Sequence, residues 1–202
     1  GTGIVTVVPD VAVLSLGVEA RESTVEEAMD EAADAMDAVM AKLRAKGVAD
    51  KDIKTEWFSI YPITEWIEDG HEVIVGYRVS NTVSIKIRDV DAAGEIIDAA
   101  AQAGGDLIRV QGVSFTVDDP SLYYVEARQE AMTDAKAKAQ QLASLAGVGL
   151  GKAYYISESS GYYPIYADYA WESRGGDVAA TTQISPGEMD ITLSVQVAFA
   201  IQ

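Results

Sequence analysis

DIKTEWFSIYPITEWIEDGHEVIVGYRVSNTVSIKIRD, residues 52–89, reads as one long hairpin. Asp69-Gly70 sits near its middle, a dipeptide that tolerates the backbone angles of a tight turn. In the second arm Tyr77, Val79, Val83, Ile85 and Ile87 fall on one side, with Asn81 the polar exception. Arg78, Ser80, Thr82, Ser84, Lys86 and Arg88 fall on the other. Successive strand residues point to opposite faces, so the pattern describes a sheet with one dry side and one wet side. Adjacent strands joined by a tight turn are antiparallel.

The same alternation recurs on both sides of the hairpin. In VAVLSLGVEAR (11–21), Ala12, Leu14, Leu16, Val18 and Ala20 share a face. IVTVV (4–8) is a short β-branched strand stopped by Pro9-Asp10. LIRVQGVSFTV (107–117), LGKAYYISES (150–159) and GEMDITLSVQVAFAIQ (187–202) complete the strands. Three segments change to helical spacing. The first, 23–47, carries Val25, Ala28, Met29, Ala32, Met36, Val39, Met40 and Leu43, opens on the capping box Thr24–Glu27, and stops at Gly47. The second, 90–105, is apolar at Ala93, Ile96, Ile97, Ala100 and Ala101. The third opens on Asp119-Pro120, ends at Gly147, and is expected to bury Leu122, Val125, Met132, Ala135, Leu142 and Leu145. The order β-β-α-β-β-α-β-α-β-β predicts an α+β fold: an antiparallel sheet of long strands with three helices packed on one face. A chain of 202 residues fits a single domain over 1–202, with an aromatic loop at about 159–185.

Composition narrows the function classes. There are 15 basic and 32 acidic residues, a net charge of −17. Nucleic acid is disfavoured as a partner, because binding its phosphates depends on Lys and Arg. Cysteine is absent, which excludes disulfides, thiolate metal sites and cysteine nucleophiles. No apolar run approaches the ~18 residues that read as a membrane span. The opening Gly1-Thr2-Gly3-Ile4 has no leader-like character and is expected to lie near a processed start.

The catalytic inventory is thin. His71 is the one histidine and falls at the hairpin tip, where an exposed turn residue is expected. A general base needs an orienting partner and a cleft, and a typical zinc site needs further His or Cys ligands. Glu27, Asp30, Asp34 and Asp37 line one side of the first helix, as a solvated face does; hard-cation sites instead fold a loop around the ion. Gly147, Gly149 and Gly151 follow a helix, whereas a phosphate loop precedes one. No catalytic residue, metal site or cofactor is expected.

Two features point to partners. The basic row Arg78, Lys86 and Arg88 would suit the acidic surface of another copy, or would pair with its own acidic neighbours. The loop gathers Tyr162, Tyr163, Tyr166, Tyr169 and Trp171 between Ser- and Gly-rich flanks. Large side chains with a polar tip are enriched at interfaces. The loop could cover its own sheet, join subunits, or hold a glycan, a peptide or a small apolar ligand.

VVPDVAVLSLGVEA (7–20), VGYRVSNTVSIKIRD (75–89), DAKAKAQQLASLAGVGLGKAYYISES (134–159) and ISPGEMDITLSVQVAF (184–199) resemble the SIMPL-domain family in collinear order. That family includes bacterial periplasmic proteins linked to oxidative-stress defence and a periplasmic immunogenic antigen. The resemblance implies an α+β fold, export to the cell envelope or beyond, and self-assembly into rings or larger homo-oligomers. It implies no catalytic residues. The expectation is therefore an exported, non-enzymatic, homo-oligomeric envelope or cell-surface scaffold, with a binding module as the alternative.

Overall fold

The computed structural model describes residues 1–159, 165–166 and 182–202. In chain order the elements are β1 (Thr2–Val7), β2 (Val11–Glu22), α1 (Val25–Ala45), β3 (Ile53–Trp66), β4 (Glu72–Ile87), α2 (Ala93–Gly104), β5 (Ile108–Thr116), α3 (Ser121–Ala146), β6 (Leu150–Ser159), β7 (Ile165–Tyr166) and β8 (Met189–Ile201). The architecture is α+β with antiparallel strands and three helices, as the alternation predicts. The strands divide between two sheets, and the chain divides into two compact units.

One unit comprises Asp10–Phe115 and Arg174–Pro186. Its sheet has the order β3-β4-β2-β5. The long hairpin supplies β3 and β4, and its turn closes through the Gly70 amide donating to Ile67 O at 2.9 Å, with Gly70 at φ +79°. β2 lies antiparallel beside β4, from Ala12 opposite Ile87 to Glu22 opposite Tyr77. Leu14, Leu16, Val79 and Ile85 are fully buried on the inner face, against Ala28, Ala32, Met36, Val39 and Leu43 of α1 and Ile96 and Ala100 of α2. The capping box forms as read, with Glu27 N donating to Thr24 Oγ1 at 3.2 Å.

The other unit comprises Gly1–Pro9, Thr116–Ser173 and Gly187–Gln202. β8 is central, between β1 and β6, with β7 also paired to it. Val5, Val7, Met189, Ile191, Leu193 and Val195 pack on α3. Here one expectation holds only in part: Ala135 is buried and Met132 packs against the core, but the larger residues of the stripe are not buried. α3 buries Ala127, Ala131, Ala135 and Ala143, while Leu122, Val125, Leu142 and Leu145 stand exposed. The cause is close approach: a methyl on Gly3 would meet the backbone of Ala127 and Ala131, and one on Gly1 that of Ala131 and Ala135. Nothing larger than alanine fits between backbones that near. The helix also starts one residue later than read: Pro120 is the N-cap, and Asp119 Oδ1 accepts from Ser121 N at 3.0 Å.

β1 is an edge strand whose outer amides are not left bare. Thr2 N donates to Asp134 Oδ2 at 2.8 Å and Ile4 N to Glu130 Oε2 at 3.0 Å. Carboxylates of α3 thus occupy the positions that an added strand would use.

Candidate interaction face

The outer face of the β3-β4-β2-β5 sheet gathers the exposed chemistry of its unit. Register fixes which side chains meet. Tyr61, Arg78 and Arg21 form one row across β3, β4 and β2. Ser59, Ser80 and Glu19 form the next, and Trp57, Thr82 and Gly17 the third. Lys54 lies opposite Ser84, and Lys86 opposite Val13.

Gly17 keeps the third row flat. A Cβ there would come within 2.6 Å of Asn81 O and 2.8 Å of Thr82 Oγ1. With no side chain in the way, Gln111 Nε2 donates to Thr82 Oγ1 at 3.1 Å, and Thr82 is the one buried polar residue of the face. The single Ser15 hydroxyl proton is shared between Gln111 Oε1 at 3.1 Å and Glu56 Oε2 at 3.3 Å. Trp57 stands 60% exposed beside this strip and Tyr61 56% exposed beside Arg78.

Charge on the face is reversed relative to the chain. Lys54, Arg78, Lys86, Arg21 and Arg109 oppose Glu19 and Glu56 in a protein of net charge −17. Arg21 Nη2 donates to Glu19 Oε1 at 2.8 Å, and Arg109 Nη2 lies 3.8 Å from the same oxygen. Arg78 faces Arg21 directly, and its buried Nε has no hydrogen-bond partner among the described residues.

Of the row read from the hairpin, Arg78 and Lys86 therefore share this face. Arg88 lies one residue beyond β4 and makes a two-point contact with Asp52, at 3.0 Å and 2.9 Å. That guanidinium holds the Asp52 carboxyl below its ordinary value. Arg21, Arg109, Lys54, Trp57 and Tyr61 were missed. The alternation of β2 puts Arg21 on the outer side, but only the register sets it beside Arg78.

Tyr162, Tyr163, Tyr169 and Trp171 lie outside the described residues. Tyr166, in β7, pairs through its backbone with Met189 of β8. His71 is exposed at the hairpin tip, and Gly147 ends α3 at φ +71°. Among the described residues no group of three or more His, Cys, Asp or Glu could hold a metal ion, and no helix is long and apolar enough to cross a membrane.

Residues 1–199 match the family SIMPL, described as a protein of unknown function (DUF541). The 26 kDa periplasmic immunogenic protein of Brucella melitensis is 34% identical over 214 residues, covering 100% of this chain and 83% of that protein. The uncharacterized protein YggE of Escherichia coli is 27% identical over 203 residues, covering 100% and 81%. YggE of Edwardsiella ictaluri is 30% identical over 156 residues, covering 77% and 64%.

Proposed function

The chain belongs to the SIMPL family, and from that membership we propose that it is a non-enzymatic, exported protein whose copies assemble into a scaffold of the cell envelope or surface. The name of the Brucella relative, a periplasmic immunogenic protein, supports export. The names of the relatives are not enzyme names, and the family is described as of unknown function. One observation carries the assembly reading: a cation-rich outer sheet face, rimmed by exposed Trp57 and Tyr61, on a chain of net charge −17. Such a face is complementary to the rest of the same protein's surface, and electrostatic complementarity directs association.

Mass in solution, from size exclusion with light scattering, tests this. A discrete multiple of 21.5 kDa is expected. A monomer at all accessible concentrations would overturn it. A variant lacking residues 160–176 tests whether Tyr162, Tyr163, Tyr166, Tyr169 and Trp171 take part in the joint.

A second reading rests on Trp57. An exposed indole beside the flat strip at Gly17 suits the face of a sugar ring or a small apolar ligand. Quenching or shift of tryptophan fluorescence on titration with oligosaccharides would favour it, and comparison of Trp57→Ala with the loop-deleted variant would locate the site.

A further inference from the structure

The hairpin outruns its sheet. β2 ends at Glu22 opposite Tyr77, so beyond Pro62 and Tyr77 the hairpin runs on as a two-stranded ribbon, residues 63–76, with no third strand beside it among the described residues. A lone ribbon of this kind is marginal in water. Yet this one exposes Trp66 (74%), Ile74 (57%) and Val75 (45%). Its polar residues are one-signed as well. Glu65, Glu68, Asp69 and Glu72 lie in it, and 63–76 contains no Lys or Arg. Thr64 donates to Glu72 within the ribbon.

The free edge of β3 is a poor template for strand addition. Pro62 removes one amide donor, and the register is broken between Thr55 and Trp57 and again between Ile63 and Thr64. The ribbon is therefore suited to being held by its side chains rather than extended into a larger sheet.

Resting on the assembly reading above, we propose that this arm docks on the arginine face of a second copy, its carboxylates meeting Arg21, Arg78 and Arg109 and its Trp66 packing beside Tyr61. Charge complementarity selects the occupant. The arm carries four carboxylates against no Lys or Arg, and the face carries the guanidinium that stands opposite another guanidinium. Arg–carboxylate pairing is geometrically specific as well as strong. The arm continues the strands away from the face, so its receiver is another molecule. Arm and face are different patches, so each copy gives one arm and receives one: two copies exchange arms about a two-fold axis, or the arms pass head to tail and the series closes into a ring or runs on as a fibre.

The test is a charge swap. One variant carries Arg21→Glu and Arg78→Glu; the other carries Glu65→Lys, Glu68→Lys and Asp69→Lys. Each alone is expected to run as a monomer by light scattering, and an equimolar mixture is expected to assemble again with the two variants alternating, because each then offers what the other lacks. Thermal melts establish that both variants are folded. If the face variant does not fold, Arg21→Gln with Arg78→Gln removes the charges while keeping extended polar side chains and is expected to weaken association at least tenfold. Wild type that assembles while the folded variants assemble equally well, or while the folded mixture stays monomeric, overturns the arm contact and leaves self-assembly standing. Monomeric wild type overturns both.

Discussion

Arg78 and Arg21 stand directly opposite each other across the β4–β2 ladder. Like charges in that position cost about 0.2–1 kcal/mol. A buried donor without a partner among the described residues, as at Arg78 Nε, adds to the cost. On the assembly proposed above, the two arginines weaken the lone chain and serve its association, a trade between stability and function.

Arg78→Thr should therefore stabilise the dissociated chain by about 0.5 kcal/mol, since it removes the repulsion and supplies a β-branched strand residue. The urea midpoint at high dilution reads this. The same variant should associate more weakly than wild type. A lower midpoint would mean that Arg78 holds its own sheet together.

Gly3→Ala should destabilise the unit that contains α3 by about 1–3 kcal/mol, the usual cost of overpacking. The added methyl meets backbone of Ala127 and Ala131, which cannot rotate aside. Gly70→Ala is the contrast: nothing lies within 4 Å of the added carbon, and the cost there comes from φ +79° alone. Equilibrium unfolding of both would separate collision from backbone strain.

Acid should unfold the protein through a set of pinned carboxylates. Glu27, Asp52, Asp98, Asp119, Asp134 and Glu158 all titrate below the ordinary values of 4.5 for Glu and 3.8 for Asp. Asp134 is lowered first by Lys138 and then by the Thr2 amide, and Glu158 by the Arg128 guanidinium. A folded value below the unfolded one contributes stability above the unfolded value and loses it as pH falls through the folded value. Stability should thus be nearly flat above about pH 5 and decline below about pH 4. Asp134→Asn should be less stable than wild type near neutrality, and the difference should close in acid. A difference that persists unchanged at about pH 2 would point to a cause other than charge.

Asp98 ties down the segment that begins at Thr182. Its carboxylate accepts from Thr182 N at 3.0 Å and Oγ1 at 2.6 Å, and Gly94 leaves room for the Thr182 carbonyl. Asp98→Ala should raise the rate of proteolytic cutting near Thr182 several-fold with little change in the melting temperature, because local opening is separable from global unfolding. Equal cutting rates would show that other contacts, such as the packing of Ile184, fix the segment.

How far the fold was legible depended on whether one face of an element does all the burying. In β2, Ala12, Leu14, Leu16, Val18 and Ala20 are at most 1% exposed, and the strict alternation announced it. α1 likewise buried most of its apolar stripe, although Met29 stands 43% exposed. α3 defeated the same logic, because hydrophobic size is a poor guide where glycines on the opposing strand bring backbones together. The division into two sheets depends on β8 returning to β1 across the length of the chain, which no local pattern encodes. The candidate face was half legible. Arg78 and Lys86 followed from one strand's alternation, whereas Arg21 and Arg109 needed strand order and register. Arg88 carried no local sign of its distant partner Asp52.

The capping of β1 by Glu130 and Asp134 has a practical consequence for anyone redesigning this protein. Trimming the surplus of acidic residues is a common route to better crystals or to expression in unfamiliar hosts. Here the thirty-two acidic positions are not interchangeable. Asp30, Asp34 and Asp37 stand exposed along α1 and are open to substitution. Replacing Glu130 and Asp134 by lysine would strip the acceptors from the Thr2 and Ile4 amides and turn a closed border into an adhesive one, trading excess charge for a tendency to aggregate.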